Sequence, residues 1–109
     1  MYRGGRGFEP RQAHHLLFLD IETMYFVYIL QSLKNGSYYI EYSEDVDKRL
    51  AEHNRGKAKA TRYEVPFKLV YTETFTTSIE AKKREYFLKR QKSRKYIESL
   101  ILNTPPLVV

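Results

Sequence analysis

The chain has 109 residues, a formal net charge of +6, 42% apolar residues and no cysteine. A chain of this length forms one domain with a single modest core. The absence of cysteine excludes disulfides and cysteine-ligated zinc, and it fits a reducing, cytoplasmic location. No apolar run approaches the roughly 20 residues that span a bilayer, so we expect no membrane partner.

Residues 1–23 differ in composition from the remainder of the chain. They are rich in glycine, follow neither a strand nor a helix period, and balance their arginines with as many acidic residues. We therefore expect a disordered extension here, with Met24 as the natural start of the protein. The positive excess lies after this segment, and a compact basic domain favours a polyanionic partner such as nucleic acid.

Three segments have the composition of strands. Residues 25–30 and 37–42 are rich in aromatic and β-branched residues, and Asn35-Gly36 between them is a strong hairpin signal. Residues 67–75 have the same composition and predict a third strand.

Helical signals account for most of the other residues. Ser43 is predicted to cap a first helix that ends at Gly56. Ser78 is predicted to cap a second helix that runs to about Lys92, and Ser93 a third. The order ββαβαα corresponds to an α/β fold, a small three-stranded, mainly antiparallel sheet flanked by helices.

We place this domain at residues 24–102 and a flexible tail at residues 103–109. Within it, Glu85 has the most unusual predicted position. It shares a helix face with Ala81 and Leu88, which are expected to turn inward. A buried carboxylate is costly unless it is paired or bound to a metal. One interpretation is a salt bridge to a neighbouring arginine, and the other is an oxygen ligand for Mg²⁺.

Arg49 and His53 are four residues apart and so project from one side of the first helix. Arg49 could clamp a phosphate with two nitrogens, or it could pair with Asp45 or Glu52 in solvent. His53 could accept a proton from water, or it could serve as a structural hydrogen-bonding residue.

Tyr28 and Tyr39 belong to the two hairpin strands. Strand tyrosines usually pack in the core. A phenol near a divalent cation can instead share its proton and orient an attacking water. The residues alone leave both interpretations open.

Two basic segments could bind the phosphates of a nucleic acid. The second helix carries a basic series that includes Lys89, and the loop after the first helix carries Arg55, Lys57, Lys59 and Arg62. Both segments could also be ordinary solvated surfaces. If they bind nucleic acid, contacts to its backbone give affinity without sequence readout.

Residues 25–101 resemble the GIY-YIG endonuclease domain, in the small stand-alone bacterial type related to the catalytic domain of the excision-repair nuclease (excinuclease). The matching motifs, in chain order, are Phe26-Val-Tyr28-Ile-Leu30, Tyr39-Ile40, Tyr42-Ser43, Asp45, Arg49-Leu50, Glu52-His53-Asn54, Gly56, Pro66-Phe67, Tyr71, Ala81, Arg84-Glu85 and Leu88-Lys89. Each motif is weak alone, but their order and spacing together are specific.

The resemblance implies an endonuclease that hydrolyses DNA phosphodiester bonds, in DNA repair or recombination, with one Mg²⁺ or Mn²⁺ ion and no small-molecule cofactor. Glu85 would be the metal ligand and Arg49 the phosphate clamp. Tyr28 and Tyr39 would position or deprotonate water, with His53 as a helper. DNA would be bound largely independently of its sequence, since the chain has no second domain to select a target.

Two residues depart from the family pattern. Phe26 replaces the first glycine, which small stand-alone members tolerate, and Glu41 replaces the glycine of the second motif. Because residues i and i+2 of a strand share a face, Glu41 is expected to point the same way as Tyr39. Its charge at about 6 Å from a phosphate would cost on the order of 2–3 kcal/mol, roughly a hundredfold in binding or rate.

Glu41 therefore keeps a second function open, a nucleic-acid-binding module that retains the scaffold but is catalytically impaired. A third alternative is a structural or partner-binding domain. DNA affinity that does not respond to the charges of the basic loop would favour that alternative.

Overall fold

The computed structural model describes residues 24–91 and 93–103. Its elements, in chain order, are β1 (Tyr25–Ser32), β2 (Tyr38–Ser43), α1 (Val46–Asn54), β3 (Phe67–Phe75), α2 (Ser78–Lys89) and α3 (Arg94–Leu102). The predictions for residues 1–23, for Lys92 and for residues 104–109 lie outside the described residues.

The three strands form one sheet in the order β2-β1-β3, and β1 pairs antiparallel with both neighbours. The predicted α/β fold and the order ββαβαα are confirmed. β1 is the central strand, and its residues from Val27 to Leu30 have no solvent exposure. A short continuous apolar run of this kind is typical of a strand that is buried on both faces.

Side chains of β1 alternate between two core clusters. Val27 and Ile29 join a cluster with buried residues of α2 and α3. Tyr28 and Leu30 join a cluster on the opposite face, with Phe67 and the apolar side of α1. We call these two sides the α2 face and the α1 face of the sheet.

The turn between β1 and β2 confirms the predicted hairpin. Gly36 has a φ of +79°, a left-handed conformation that glycine adopts without strain. The Ser32 hydroxyl accepts two backbone N–H groups of the turn at 3.1 Å each. The turn fixes the register of the two strands, in which Tyr28 lies opposite Glu41.

Two of the three predicted helix caps are wrong by one or two residues. α1 is capped by Asp45, whose carboxylate accepts a backbone N–H of the first turn at 3.0 Å, while Ser43 ends β2. α2 is capped by Thr77, and Ser78 is its first residue. In both cases a neighbouring side chain with a suitable oxygen takes the capping position. Ser93 occupies the N-cap position of α3, as predicted, but its side chain makes no capping hydrogen bond.

α1 ends in a Schellman turn at Gly56, which confirms the predicted stop. Gly56 has a φ of +76° and donates its N–H to the His53 carbonyl at 2.9 Å. The next N–H, of Lys57, donates to the Glu52 carbonyl at 3.1 Å. These bonds set the direction in which the basic loop leaves α1.

α2 ends at Lys89, short of the predicted end near Lys92. Its last turn is tightened, because the Arg90 N–H donates to the carbonyls of both Tyr86 and Phe87. No helix in the described part of the chain is long and apolar enough to cross a membrane.

Candidate active site

The Glu41 carboxylate is the centre of a hydrogen-bonded group on the α1 face. Glu41 lies opposite Tyr28 in the β1–β2 register, and the Tyr28 hydroxyl donates a hydrogen bond to its Oε1. Tyr39, two residues before Glu41, packs against the cluster on the same face. The expectation that Glu41 and Tyr39 point the same way is therefore confirmed.

Arg49 reaches over this face from α1 and binds Glu41 with two nitrogens. Its Nε lies 3.2 Å from Oε1 and its Nη2 lies 3.0 Å from Oε2. Its third nitrogen, Nη1, lies 2.7 Å from the Glu52 carboxylate, which is one of the two ion pairs that the sequence left open. Arginine binds a phosphate through the same planar two-point contact. The residue predicted to clamp substrate is thus held by two carboxylates of its own chain.

His53 lies beneath these groups and has no solvent exposure. Its Nδ1 is 2.7 Å from the Thr61 hydroxyl and its Nε2 is 3.4 Å from Glu41 Oε1. Both ring nitrogens of His53 therefore have a hydrogen-bonding partner within the protein. The Tyr39 ring packs edge-on against it, with 4.9 Å between centroids. His53 is therefore placed to position Glu41 and Tyr39, away from bulk water.

Burial and charge set the protonation states of this group. Burial raises the pKa of Glu41, but hydrogen bonds from Arg49 and Tyr28 outweigh it and bring that pKa below its usual value. The bond to Glu41 raises the pKa of Arg49. Burial raises the pKa of Tyr28 and of Tyr39, and Glu41 raises both further, through a hydrogen bond to Tyr28 and through its charge near Tyr39. At neutral pH Glu41 is ionised and both phenols keep their protons.

Glu85 lies on α2. Its side chain is 18% exposed, and its carboxylate pairs with the Lys89 ammonium at 2.5 Å. The sequence left open a bridge to a neighbouring arginine, but the partner is a lysine one turn along the same helix. The charges of Glu85 and Lys89 both act on the pKa of Tyr39, so Tyr39 lies within electrostatic reach of Glu85 as well as Glu41.

A metal ion at Glu85 would have few protein ligands. Residues 24–91 and 93–103 contain no group of three His, Cys, Asp or Glu side chains able to hold a metal ion. A single carboxylate fits a Mg²⁺ or Mn²⁺ ion that keeps most of its water and takes substrate phosphate as a further ligand. It does not fit a tightly held structural ion.

The basic loop after α1 is anchored to the Glu41 group by Thr61. This residue is 1% exposed and contacts His53 at 2.7 Å. Four basic side chains of the loop are exposed, and none of them forms an ion pair with another described residue: Arg55, Lys57, Lys59 and Arg62. The loop therefore presents exposed cations beside the candidate site.

The α1 face brings together four of the predicted site residues, Tyr28, Tyr39, Arg49 and His53. Two further predicted residues, Glu85 and Lys89, form an ion pair on α2 whose charges reach Tyr39. The sequence marked Glu41 as an obstacle and missed that it is the centre of the group. Thr61 was also missed, because its only signal is its position within the basic loop.

A family model described as the GIY-YIG catalytic domain matches residues 24–97. A UPF0213 protein of Staphylococcus epidermidis is 47% identical over 78 residues, which cover 68% of this chain and 94% of that protein. A UPF0213 protein of Halobacterium salinarum is 45% identical over 78 residues, covering 71% of this chain and 99% of that protein. The solution NMR structure of a UPF0213 protein from Bacillus halodurans is 42% identical, with a TM-score of 0.48, and the match covers 76% of this chain and 88% of that one. This chain belongs to the GIY-YIG catalytic domain family.

Proposed function

We propose that this protein is a metal-dependent endonuclease that hydrolyses phosphodiester bonds in DNA. The observation that carries the proposal is the convergence of Tyr28, Tyr39, Arg49 and His53 on the α1 face. Phosphodiester hydrolysis requires a cation that binds the phosphate and donors that stabilise developing charge, and this group supplies both. Membership of the family agrees with this chemistry.

Arg49 is the residue that we assign to the substrate phosphate. A phosphate that replaces Glu41 on Nε and Nη2 keeps the same two-point geometry. The Nη1 contact with Glu52 can meanwhile hold the guanidinium in place. Arg49 would then neutralise the charge that develops on the phosphate in the transition state.

Tyr28 and Tyr39 are assigned to the attacking water. Because their pKa values are raised, they act as hydrogen-bonding phenols that orient water, and not as phenolates that remove its proton. Tyr28 has no exposed surface and donates to Glu41, so it would join only after Glu41 has moved. His53 is the helper that holds the Tyr39 ring and the Glu41 carboxylate.

Glu85 would hold one Mg²⁺ or Mn²⁺ ion through its carboxylate once Lys89 is released. Such an ion, when bound, supplies charge stabilisation at the phosphate and lowers the pKa of a coordinated water. Since Glu85 is a single carboxylate, we expect its affinity for the ion to be weak in the absence of DNA.

The basic loop is assigned to the DNA backbone, with binding largely independent of sequence. Reversing the charges of Lys57, Lys59 and Arg62 should lower DNA affinity and flatten its salt dependence. Unchanged affinity would favour the third alternative, a structural or partner-binding domain. The absence of cysteine fits a cytoplasmic location. We extend the proposal to DNA repair or recombination from the resemblance to the excision-repair nuclease.

The proposal is tested by incubating DNA and Mg²⁺ with the wild type and with Glu85→Ala. Cleavage should fall by about a hundredfold or more in the variant, because a metal ion supplies several kcal/mol of transition-state stabilisation. Glu80→Ala, which removes an exposed acid from the same helix, is the matched control and should cleave normally. Equal cleavage by the wild type and Glu85→Ala, or none by either, would contradict the proposal.

The Glu41–Arg49 contact favours a second function, a nucleic-acid-binding module without catalysis. In that case Glu41 keeps Arg49 permanently from the phosphate. This alternative predicts salt-sensitive DNA binding, no cleavage by the wild type and recovery of cleavage in Glu41→Gly. Cleavage by the wild type would exclude it.

A further inference from the structure

The outer face of α2 presents large and basic side chains to solvent. Tyr86 is 63% exposed and Ile79 is 65% exposed. Four further exposed residues on this face are basic: Lys82, Lys83, Lys89 and Arg90. Phe87, which is 46% exposed, and the acidic Glu80 lie at its other edge. Among the residues that the structure describes, neither Lys82 nor Lys83 has an ion-pair partner.

Helical spacing joins these side chains into one surface. Four of them follow at i, i+4, i+7 and i+11 and form the α2 stripe: Ile79, Lys83, Tyr86 and Arg90. Lys82 and Lys89 lie between this stripe and Glu85 on the helix circumference. The surface therefore begins at the Glu85–Lys89 pair and continues around α2, away from the candidate site.

Arg90 holds the Tyr86 ring in place on the stripe. Its guanidinium lies 5.2 Å from the ring centroid, and its Nη1 lies 3.3 Å from the phenol oxygen. This cation–π contact orients the ring and leaves most of the residue exposed. A ring that is fixed in this way can stack on a second flat group at a low cost in side-chain entropy.

We propose that this surface binds an unpaired stretch of nucleic acid, with a nucleobase stacked on Tyr86 and the adjoining phosphates on Lys82 and Lys83. The inference rests on the proposed function, because it extends the same DNA along α2 from the site at Glu85. Base stacking on aromatic side chains beside basic residues is a general mode of single-strand binding. A base inside a duplex has no free face, so the substrate class is single-stranded or locally unpaired DNA.

An anionic lipid surface would also attract the lysines of α2. A helix that lies in a membrane interface needs a continuous apolar face, however. On α2 the apolar residues Ala81 and Leu88 are buried against the sheet, and Ile79 is the one aliphatic side chain on the stripe. Phe87 is partly exposed, but its ring packs edge-on against Tyr96 of α3, and the acidic Glu80 lies on the same side of the helix. One orientated aromatic ring among cations matches a nucleic-acid strand better than a lipid surface.

The test uses Tyr86→Trp, because the chain contains no tryptophan and the new residue is a unique fluorophore. A thymidine oligonucleotide in EDTA, where metal-dependent cleavage does not occur, should quench its fluorescence. An abasic oligonucleotide of the same length and charge should leave the fluorescence nearly unchanged. Leu33→Trp, at a hairpin-turn residue that is 58% exposed, is the matched control and should respond to neither.

Equal responses to the two oligonucleotides, or an equal response in Leu33→Trp, would overturn the proposal. A blue shift with anionic phospholipid vesicles and no quenching by the oligonucleotide would also overturn it. In binding assays, Tyr86→Ala should weaken the thymidine oligonucleotide roughly tenfold and the abasic one by less than about twofold. Quenching without nuclease activity would contradict only the proposed function, and nuclease activity without quenching would contradict only this inference.

Discussion

Two clusters with the same three residue types lie on opposite faces of the sheet. In each, an arginine binds a glutamate with two nitrogens and a tyrosine donates to the same carboxylate. The Glu41 cluster, on the α1 face, consists of Tyr28, Glu41 and Arg49. The Glu73 cluster, on the α2 face, consists of Tyr71, Glu73 and Arg84. Residue types alone therefore do not distinguish a candidate active site from an ion pair that fastens a helix to a sheet.

The surroundings of the two arginines distinguish the clusters. Arg84 binds one carboxylate, with both contacts at 2.8 Å. Arg49 is shared between Glu41 and Glu52, so these three side chains together carry one negative charge, while the charges of Arg84 and Glu73 cancel. Arg49 can exchange one carboxylate for a phosphate and keep the other. Arg84 would lose the one ion-pair partner that it has among the described residues.

The largest expected effect separates the two clusters by function. Glu41→Gln removes a like charge from the phosphate site and weakens the hold on Arg49, so DNA affinity or cleavage should rise about a hundredfold. Glu73→Gln makes the same chemical change on the α2 face and should alter neither quantity. Both variants are measured at one ionic strength. An equal rise in both would point to net charge and not to the release of Arg49.

The effect of intermediate size concerns stability. Here Glu73→Gln should change the free energy of unfolding more than Glu41→Gln does. Glu73→Gln leaves Arg84 without a charged partner and should lower the free energy of unfolding by about 1–2 kcal/mol. Glu41→Gln leaves Arg49 bound to Glu52 and relieves the excess charge, so its loss should be at most about half as large. Urea unfolding at neutral pH measures both values. Equal losses would show that Glu52 does not support Arg49.

The smallest expected effect depends on pH. Burial raises the pKa of Glu41 and Glu73, but hydrogen bonds from their arginines outweigh it and bring both below the ordinary value of 4.5. The unfolded chain binds these protons first as pH falls. The stability that each carboxylate contributes is therefore present above its ordinary pKa and is lost as the pH falls through the lowered pKa. With glutamine at either position, the free energy of unfolding should fall less steeply as the pH is lowered. An unchanged slope in one variant would contradict the ion pair that its glutamate forms with arginine.

Local pattern was sufficient to predict the framework of this fold. Strand composition and Asn35-Gly36 predicted the hairpin, and the two-residue period of a strand placed Glu41 beside Tyr39. The start of α1 was misplaced, because Ser43 and Asp45 both carry oxygens that can accept a helix N–H.

The partners of charged residues were not determined by local pattern. The position of Arg49 and His53 on one side of α1 was predicted, but the contact of Arg49 with Glu41 depends on the β1–β2 register and on the orientation of α1. Glu85 pairs with Lys89, whereas the sequence pointed to a neighbouring arginine or to a metal ion. The Glu73 cluster joins β3 to α2. The two-residue period of a strand puts Tyr71 beside Glu73, but no spacing along the chain relates them to Arg84. Such pairings depend on tertiary packing.

The central claim is that Arg49 exchanges Glu41 for a substrate phosphate. NMR of the arginine Nε–H groups tests it most directly, with the signals assigned from Arg49→Lys and Arg84→Lys. When a DNA oligonucleotide binds in EDTA, the Arg49 signal should shift and the Arg84 signal should stay in place. DNA binding without a change at Arg49, or with equal shifts at both arginines, would contradict the claim.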